Sequence, residues 1–255
     1  MKVYGIIGKP LSHSFSPAYF SAKFKKLGMD DACYKPFLLD SVHAFPSLIE
    51  QETELCGLNV TIPYKEAIIP MLDEISDEAR AIGAVNTIKV NREQGTGNSK
   101  KILLQGYNTD VFGFRQSIKP FLASHHHKAL ILGTGGASKA VAFVLKQIGI
   151  EYLLVSRSEK PGTITYTTLN EDLIAAHRFI INTTPAGMLP DNDSIPPMND
   201  SLFKAIGSTH FVYDLIYNPS ETLFLGKAKA QGALVMNGLT MLEQQAEESW
   251  KIWNS

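Results

Sequence analysis

The chain has 255 residues, which at ~150 residues per domain corresponds to one or two domains. Hydrophobic residues make up 44% of it, enough for a sizeable core, and 24 basic against 25 acidic residues leave a formal net charge of −1. This balance argues against a protein that binds nucleic acid or a membrane surface, because either partner requires clustered basic residues. The two cysteines exclude a disulfide framework and a cysteine-based zinc cluster.

Charged residues are scarce in this chain, and it shows no targeting segment. They make up 19% of the residues, below the ~25% typical of soluble domains, so Ser, Thr, Asn and Gly are expected to make part of the polar contacts. No apolar run approaches the ~20 residues of a membrane span. The sequence passes from Met1 directly into an apolar strand, without a basic leader or a cleavage pattern. We therefore expect a cytoplasmic protein.

The first half of the chain alternates short apolar strands with short helices. Strands are predicted at 3–8, 32–38, 55–61, 84–90 and 102–107. Helices are predicted from Ser16, over 41–51, from Pro63 to about Met71, after Ser76, and from Asp110 to about Leu122. A polar, glycine-bearing loop joins the last two strands.

In the second half, the alternation of strand and helix becomes regular. Strands are predicted at 129–132, 152–156, 179–182, 211–215 and 233–236, and helices at 139–148, 171–176, 222–231 and 239–253. Such alternation is typical of a doubly wound parallel sheet. We therefore predict two α/β lobes with a cleft between them and a boundary near Asp110, the second lobe being Rossmann-like.

Three adjacent histidines, His125–His127, precede the strand at 129–132. A metal site is one interpretation of this tripeptide. A polar turn is the interpretation we favour, because neighbouring side chains diverge and no ligand spacing repeats. No metal is therefore expected.

A glycine-rich turn connects the strand at 129–132 to the helix that follows. Its residues are Gly133, Thr134, Gly135, Gly136, Ala137 and Ser138. Glycines at this position allow backbone N–H groups to approach a pyrophosphate at the positive end of a helix. Ser138 stands where a third glycine or alanine is usual, so an ordinary strand–helix turn is the alternative. The strand before it, the helix after it and the further strand–helix units favour a dinucleotide site.

The next predicted strand ends in Ser156, Arg157 and Ser158, where an NAD site would place an acidic residue for the ribose 2′-hydroxyl. A guanidinium at this position can pair with a 2′-phosphate, and the two hydroxyls can add hydrogen bonds. We therefore predict NADP as the cofactor in preference to NAD. The alternative is a solvated arginine at a strand end.

Lys65 and Asp110 are the candidate acid–base residues of the first lobe. Lys65 falls in the first turn of the helix predicted from Pro63, where the helix dipole disfavours a cation. This misfit indicates a functional rather than a structural role. Asp110 begins a helix, which an aspartate also favours for structural reasons, so only a partner such as Lys65 would make it catalytic.

Eight short motifs follow one another in order along almost the whole chain. They lie at 12–17 (Ser-His-Ser-x-Ser-Pro), 59–65 (Asn-Val-Thr-x-Pro-x-Lys), 83–87 (Gly-Ala-Val-Asn-Thr), 108–110 (Asn-Thr-Asp), 133–138, 182–188, 213–219 and 238–245. Each motif is modest by itself, whereas the ordered set is specific and resembles the shikimate dehydrogenase family. The resemblance implies reversible reduction of 3-dehydroshikimate to shikimate by NADPH, without a metal, in a monomer or homodimer that acts on this small molecule.

The resemblance also implies how the chain is divided and which residues act. Residues 1–109, completed by 239–255, would form the substrate domain, and 110–238 the NADP domain. Lys65 and Asp110 would be the acid–base pair, with the residue that transfers the proton left open. Substrate contacts would come from Ser14, Ser16, Thr61, Asn86, Asp110, Tyr217 and Gln245. Cofactor contacts would come from the glycine turn 133–137, Ser156, Arg157, Ser158, Thr183, Leu215, Gly238 and Met241.

Four positions depart from the family's pattern. Phe20 replaces a common histidine, Thr240 a frequent glycine, and Ser156 a common asparagine, while Lys160 stands one position before the usual second basic residue. The last two predict a weaker preference for NADP. A quinate/shikimate dehydrogenase that uses NAD and a non-catalytic nucleotide- or metabolite-sensing module are therefore the alternatives.

Overall fold

The computed structural model describes residues 1–11, 14–94 and 100–255. Ser12 and His13 of the first motif, and residues 95–99 of the predicted polar loop, lie outside the described residues. The chain divides into two compact units, the first formed by Met1–Phe112 and Gln245–Ser255 and the second by Gly113–Gln244. The chain therefore leaves the first unit once and returns to it for its last eleven residues.

The first unit is built on a six-stranded mixed sheet of order β2-β1-β3-β5-β6-β4. Its strands are β1 (Lys2–Gly8), β2 (Ala32–Leu38), β3 (Leu55–Val60), β4 (Glu74–Ile75), β5 (Thr87–Gln94) and β6 (Lys100–Tyr107). β1 is parallel to β2 and β3, whereas β5 is antiparallel to β3 and β6. The carboxyl ends of β3 and β6 and the start of β5 therefore lie at one edge of the sheet.

The helices of the first unit confirm most of the predicted elements. They are α1 (Phe15–Lys26), a 3₁₀ helix (Val42–Ala44) followed by α2 (Phe45–Gln51), a second 3₁₀ helix (Ile69–Met71) and α3 (Asp77–Ile82). Ser76 caps α3, accepting a hydrogen bond from the backbone N–H of Ala79 at 3.2 Å. α4 (Thr109–Ile118) follows β6 and ends four residues before the predicted Leu122.

The prediction of a helix from Pro63 to Met71 is wrong. Residues 62–68 form turns, and the 3₁₀ helix Ile69–Met71 is the one helical piece in this stretch. The Lys65 carbonyl, which an α-helix would pair four residues on, instead accepts the backbone N–H of Val85 at 2.7 Å. Pro70 lacks an N–H and disfavours the α conformation at Ile69. The long-range hydrogen bond to Val85 and the proline at position 70 therefore explain why this segment does not form the predicted helix.

The last helix, α9 (Leu239–Trp253), returns to the core of the first unit. Its Trp253 indole donates to the Ile88 carbonyl at 3.0 Å and packs 5.1 Å, between ring centroids, from Tyr4 and from Phe20. A Cβ at Gly57 would lie 2.4 Å from this indole, so glycine is needed there to admit it. The part of α9 from Gln245 onward is therefore packed into the first unit.

The second unit is a six-stranded, all-parallel sheet of order β12-β11-β10-β7-β8-β9. Its strands are β7 (Lys128–Leu132), β8 (Glu151–Ser156), β9 (Thr163–Thr165), β10 (Phe179–Asn182), β11 (Phe211–Asp214) and β12 (Leu234–Met236). Its helices are α5 (Gly136–Gln147), α6 (Glu171–Ala176), α7 (Asp200–Lys204) and α8 (Leu223–Ala230). The doubly wound fold is thus confirmed, with β9 and α7 as elements that sequence reasoning missed.

The strand order of the second unit reverses between β7 and β10. From β7 the chain proceeds outward through β8 and β9, then crosses back to β10 and continues to the opposite edge. In open α/β sheets, ligands bind beyond the carboxyl ends of the strands at such a reversal. The glycine turn after β7 and Thr183 after β10 lie at this point.

Candidate active site

The structure brings Lys65 and Asp110 together. Lys65 Nζ lies 2.7 Å from Asp110 Oδ2, with the lysine side chain 21% exposed and the aspartate 5% exposed. Lys65 follows β3 in a turn, so its predicted position in the first turn of a helix is wrong. Asp110 is in the first turn of α4, where the sequence placed it. The pair arises because β3 and β6 end at the same edge of the sheet.

The turn that carries Lys65 is fixed on both sides. The Tyr64 backbone N–H donates to the Thr61 carbonyl at 3.0 Å, and its buried hydroxyl donates to the Leu39 carbonyl at 2.7 Å. Val85, just before the start of β5, donates to the Lys65 carbonyl at 2.7 Å. The lysine side chain therefore leaves a rigid backbone, which limits the positions that its ammonium can reach.

Asn86 completes the cluster around the Asp110 carboxylate. Its Nδ2 donates to Asp110 Oδ1 at 2.8 Å, so each carboxylate oxygen accepts one hydrogen bond. Its Oδ1 accepts the backbone N–H of Thr109 at 2.7 Å. The ammonium and the amide donor together fix the orientation of the carboxylate. In this ion pair the Asp110 carboxylate is buried, whereas the Lys65 side chain is partly accessible to solvent.

Ser14 and Ser16 lie at the beginning of α1. Ser14 is the N-cap residue in extended conformation, and its hydroxyl makes no capping hydrogen bond. Ser16 is half-buried near Tyr34, whose pKa is raised because burial disfavours the phenolate. The first turn of α1 contains no acidic residue. This helix start can accommodate an anion.

Thr61 and Gln245 are half-buried residues of the same unit, the first just after β3 and the second on α9. Within residues 1–11, 14–94 and 100–255, no hydrogen bond joins either side chain to the Lys65–Asp110 cluster. The structure therefore brings together Lys65, Asn86 and Asp110. It places Ser14, Ser16, Thr61 and Gln245 in the same unit.

The glycine turn of the second unit has the geometry of a pyrophosphate site. Gly133 has a φ of +106°, and a Cβ there would lie 2.8 Å from Thr183 Oγ1, so glycine is required. Gly135 is the N-cap of α5, without a side-chain cap, and no acid follows in the first turn. A Cβ on Gly135 or Gly136 would meet nothing within 4 Å. The protein itself does not need glycine at these two positions, and the open space fits a ligand that approaches the backbone.

Basic residues flank this turn. Arg157 and Ser158 are exposed at the end of β8, and Ser156 is buried, its Oγ accepting the Ser158 backbone N–H at 3.4 Å. Lys160 Nζ donates to Thr134 Oγ1 at 3.0 Å. Lys160 therefore reaches the glycine turn although it stands one position early in sequence. These donors fit the phosphates of a dinucleotide.

The remaining predicted residues of the second unit follow β10, β11 and β12. Thr183 donates its hydroxyl to the Leu132 carbonyl at 2.8 Å. The Gly238 N–H donates to the Ile216 carbonyl at 3.0 Å, and a Cβ on Gly238 would lie 2.0 Å from the Leu215 carbonyl oxygen. Met241 lies on α9 and is buried. Tyr217 is half-buried, and its burial raises the pKa of its hydroxyl.

Asp214, in the motif at 213–219, was not assigned a role from the sequence. Its carboxylate is fully buried and accepts hydrogen bonds from Asn182 Nδ2 at 3.0 Å, Thr222 Oγ1 at 2.7 Å and the Ile216 N–H at 3.0 Å. Burial raises its pKa to about 6, although the three hydrogen bonds act to lower it. Asp214 therefore fixes the loop that carries Leu215 and Tyr217.

Asn59, Thr87, Thr109 and Ser249 were also missed, although the first three stand in the motifs already quoted. They form a buried hydrogen-bonded cluster behind Asn86. The signal for Thr87 and Thr109 was their position next to Asn86 and Asp110. Ser249, on α9, carried no motif that could have indicated it.

The three histidines form a turn, but its middle residue is not solvated. His126 is buried, its Nδ1 accepting the Ala123 N–H at 3.0 Å and its Nε2 3.2 Å from the Thr209 carbonyl oxygen. In the described part of the chain, no group of three or more His, Cys, Asp or Glu residues is arranged to hold a metal ion. The helices of that same part are all too short or too polar to cross a membrane.

Together, these features define a class of protein. A glycine turn at the reversal point of an all-parallel sheet is typical of dinucleotide binding, and the lysine–aspartate pair of the first unit is suited to proton transfer. The combination is that of a dehydrogenase with a nicotinamide cofactor.

Comparison with known proteins identifies the family. The model of the shikimate dehydrogenase substrate binding domain matches residues 6–88. A shikimate dehydrogenase (NADP(+)) of Caldanaerobacter subterraneus subsp. tengcongensis is 38% identical, over 99% of this chain and 91% of that protein. This chain belongs to the shikimate dehydrogenase family, which confirms the resemblance of the eight motifs.

Solved structures agree with this assignment. The crystal structure of shikimate dehydrogenase from Aquifex aeolicus is 35% identical with a TM-score of 0.84, covering 100% of this chain and 92% of that one. The enzyme from Thermus thermophilus, in complex with NADP(H) and shikimate, is 31% identical with a TM-score of 0.82, covering 99% and 93%. The α/β fold of both units is therefore that of the family.

Proposed function

We propose that this chain catalyses the reversible reduction of 3-dehydroshikimate to shikimate with NADPH, a step of the shikimate pathway toward chorismate and the aromatic amino acids. Besides family membership, one observation carries the proposal: the 2.7 Å contact between Lys65 Nζ and Asp110 Oδ2. Lys65 lies within the residues that match the substrate binding domain, 6–88. Reduction of a carbonyl requires a proton for its oxygen, which this pair is suited to supply.

NADPH, when bound, supplies the hydride. The Lys65 ammonium has three hydrogens, of which one bonds to Asp110, leaving donors for the substrate oxygen. The Asp110 carboxylate stabilises the ammonium and orients it. Two routes of proton transfer fit the geometry: Lys65 gives the proton itself, or Lys65 polarises the oxygen while Asp110 tunes the transfer. In either route, the pair acts as a unit.

The substrate is held mainly by uncharged donors in this proposal. Ser14 and Ser16 bind its carboxylate with their hydroxyls at the positive end of α1, where no acidic residue opposes an anion. Thr61, Asn86, Asp110, Tyr217 and Gln245 contact the ring hydroxyls. Because Asn86 Oδ1 already accepts the Thr109 N–H, Asn86 meets the substrate as a donor through Nδ2.

The cofactor residues are proposed in two groups. The backbone of 133–137 binds the pyrophosphate, and Ser156, Arg157 and Ser158 bind the 2′-phosphate. Thr183, Leu215, Gly238 and Met241 line the nicotinamide. With this assignment, 1–109 and 239–255 constitute the substrate domain and 110–238 the NADP domain. We further propose a cytoplasmic monomer or homodimer that binds small molecules and has neither nucleic acid nor a membrane as a partner.

The test is a comparison of four rates with purified protein: shikimate and quinate, each with NADP⁺ and with NAD⁺. We expect shikimate with NADP⁺ to be fastest. A preference for quinate and NAD⁺ would identify the alternative dehydrogenase, for which the displaced Lys160 and the serine at 156 are the supporting observations. A folded protein that binds NADP⁺ and oxidises neither substrate would be the sensing module.

A further inference from the structure

Ser249 is a buried hydroxyl at the centre of the polar cluster behind the acid–base pair. It lies on α9, 0% exposed. Its Oγ is 2.8 Å from Thr87 Oγ1, 3.0 Å from Asn59 Nδ2 and 3.3 Å from Thr109 Oγ1. The Ser249 hydroxyl of α9 thus lies between Asn59 on β3, Thr87 at the start of β5 and Thr109 just after β6. A buried hydroxyl with three polar neighbours restricts all of them.

The directions of the hydrogen bonds that link Tyr34 to Asn86 can be assigned. Asn59 Oδ1 accepts the Tyr34 hydroxyl at 2.8 Å, so its Nδ2 faces and donates to Ser249. Ser249 then has one proton, and its nearest acceptor is Thr87 Oγ1. Thr87 in turn donates to Asn86 Oδ1 at 3.1 Å. The bonds therefore run in one direction, from Tyr34 to Asn86.

The same assignment fixes the amide of Asn86. A backbone N–H can only donate, so the Thr109 N–H at 2.7 Å requires oxygen at that position of the Asn86 side chain. The hydroxyls of Thr87 and Thr109 donate to the same oxygen, at 3.1 and 3.2 Å. Nδ2 is left facing Asp110 Oδ1 at 2.8 Å. An amide turned by 180° would set its oxygen against the carboxylate.

We propose that Ser249 is a positioning residue for the acid–base pair: through Thr87 it locks the Asn86 amide, which holds the Asp110 carboxylate against Lys65. This inference rests on the proposed dehydrogenase function. Ser249 touches neither member of the pair, and it acts through two intermediate side chains. Its contribution is to keep the carboxylate correctly oriented toward Lys65.

The electrostatic surroundings of the carboxylate make the effect measurable. Among the described residues, the charged group that contacts Asp110 is the Lys65 ammonium, and Asn86 is the uncharged donor. Loosening Asn86 lets the carboxylate turn away from the Lys65 ammonium, so kcat per folded enzyme should fall. A loss of stability alone would reduce the amount of folded enzyme and leave kcat per folded enzyme unchanged.

The experiment uses Ser249→Ala, Thr87→Val and Thr87→Ser in the full chain, with Ser117→Ala as the matched control. Ser117 is also a buried serine, 1% exposed, whose Oγ bonds the Phe114 carbonyl at 2.9 Å and lies 3.0 Å from Tyr213 Oη. We expect kcat per folded enzyme to fall about tenfold in Ser249→Ala and Thr87→Val, the factor for one lost hydrogen bond. Thr87→Ser and Ser117→Ala should keep the wild-type kcat.

A second readout does not depend on activity. Hydrogen exchange of the Asn86 side-chain amide, followed by nuclear magnetic resonance and assigned by its loss in Asn86→Ser, should be slow in wild type and faster in Ser249→Ala. Unchanged amide exchange together with an unchanged kcat in Ser249→Ala would overturn the positioning role. An inactive wild-type enzyme with slow amide exchange would refute the proposed function and leave the locked amide supported.

Discussion

Lys65 and Asp110 are 45 residues apart in the chain, yet their charged atoms lie 2.7 Å from each other. The contact exists because β3 and β6 are both antiparallel to β5, so the segments that follow them leave the sheet on the same side. Lys65→Ala should lower kcat by roughly 10²- to 10⁴-fold, the usual contribution of a general acid–base group. KM should change little, because the lysine contributes chiefly in the transition state.

Steady-state kinetics with shikimate and NADP⁺ checks this prediction. Lys35→Ala is the control, since Lys35 forms a comparable ion pair with Glu52 at 3.0 Å on β2 and has no proposed role in the site. A Lys65→Ala enzyme that keeps wild-type kcat would remove the lysine from the mechanism.

Arg157 should determine the preference for NADP⁺. Removal of its guanidinium by Arg157→Ala should raise the Kd for NADP⁺ about 10- to 100-fold, because a charge-assisted pair to a phosphate is lost, and leave that for NAD⁺ within about twofold. Lys160→Ala should have a smaller effect of the same sign. Titration calorimetry with both cofactors measures these constants. Lys128→Ala is the control, because Lys128 is a half-exposed lysine at the start of β7 that pairs with Glu151. Equal losses of NADP⁺ and NAD⁺ affinity in Arg157→Ala would contradict the assignment.

Gly238 should not tolerate a side chain. A Cβ would lie 2.0 Å from the Leu215 carbonyl oxygen, a backbone atom that cannot rotate away. Gly238→Ala should therefore destabilise the protein by about 1–3 kcal/mol and weaken NADP⁺ binding, since the loop at Leu215 must move. Thermal unfolding and cofactor titration measure the two effects. Gly207→Ala, where an added Cβ meets nothing within 4 Å, should leave both unchanged, and equal behaviour of the two variants would refute the packing argument.

Stability should depend on pH through two buried histidines. Burial lowers the pKa of His126 and of His210 below the ordinary 6.5. Below pH 6.5 the unfolded chain therefore binds more protons than the folded one, so stability is present above this pH and is lost as the pH falls. Asp214, with its pKa raised from 3.8 to about 6, has the opposite effect on stability. Between these pH values the folded chain binds the extra proton, so this group adds stability as the pH falls.

The histidine contribution is isolated by comparing variants. We expect Tm to fall less steeply between about pH 7 and about pH 5 in His210→Gln than in the wild type, because glutamine takes up no proton when the chain unfolds. Identical pH dependence of Tm in His210→Gln and the wild type would contradict this prediction, because protonation of His210 would then cost the folded state no free energy. Asp214→Asn, measured in parallel, should make the acid-side loss steeper.

The sequence predicted those elements whose formation depends on local pattern. β10 and α6 were predicted with the observed bounds, because a short apolar run and an Asn170-capped amphipathic turn specify them locally. The false helix at 63–71 had equally good local signals. It failed because Val85, twenty residues away, takes the carbonyl of Lys65.

The acid–base pair was predicted and its supporting cluster was not. Lys65, Asn86 and Asp110 stand in motifs, so the resemblance named them. Ser249 stands on the apolar side of an amphipathic helix with Ala246 and Trp253, where a serine interrupts the pattern without indicating a role. Its partners, Thr87 and Asn59, lie 162 and 190 residues earlier in the chain, a pairing that only the fold reveals.

If this chain oxidises shikimate with NADP⁺, reduced nicotinamide must accumulate when both are supplied to it. The test measures the absorbance of reduced nicotinamide after purified, folded protein is mixed with shikimate and NADP⁺, with Lys65→Ala protein in a parallel cuvette. We expect rapid formation of NADPH by the wild type and almost none by the variant. Folded wild-type protein that binds NADP⁺ but forms no NADPH, or a Lys65→Ala protein as fast as wild type, would contradict it.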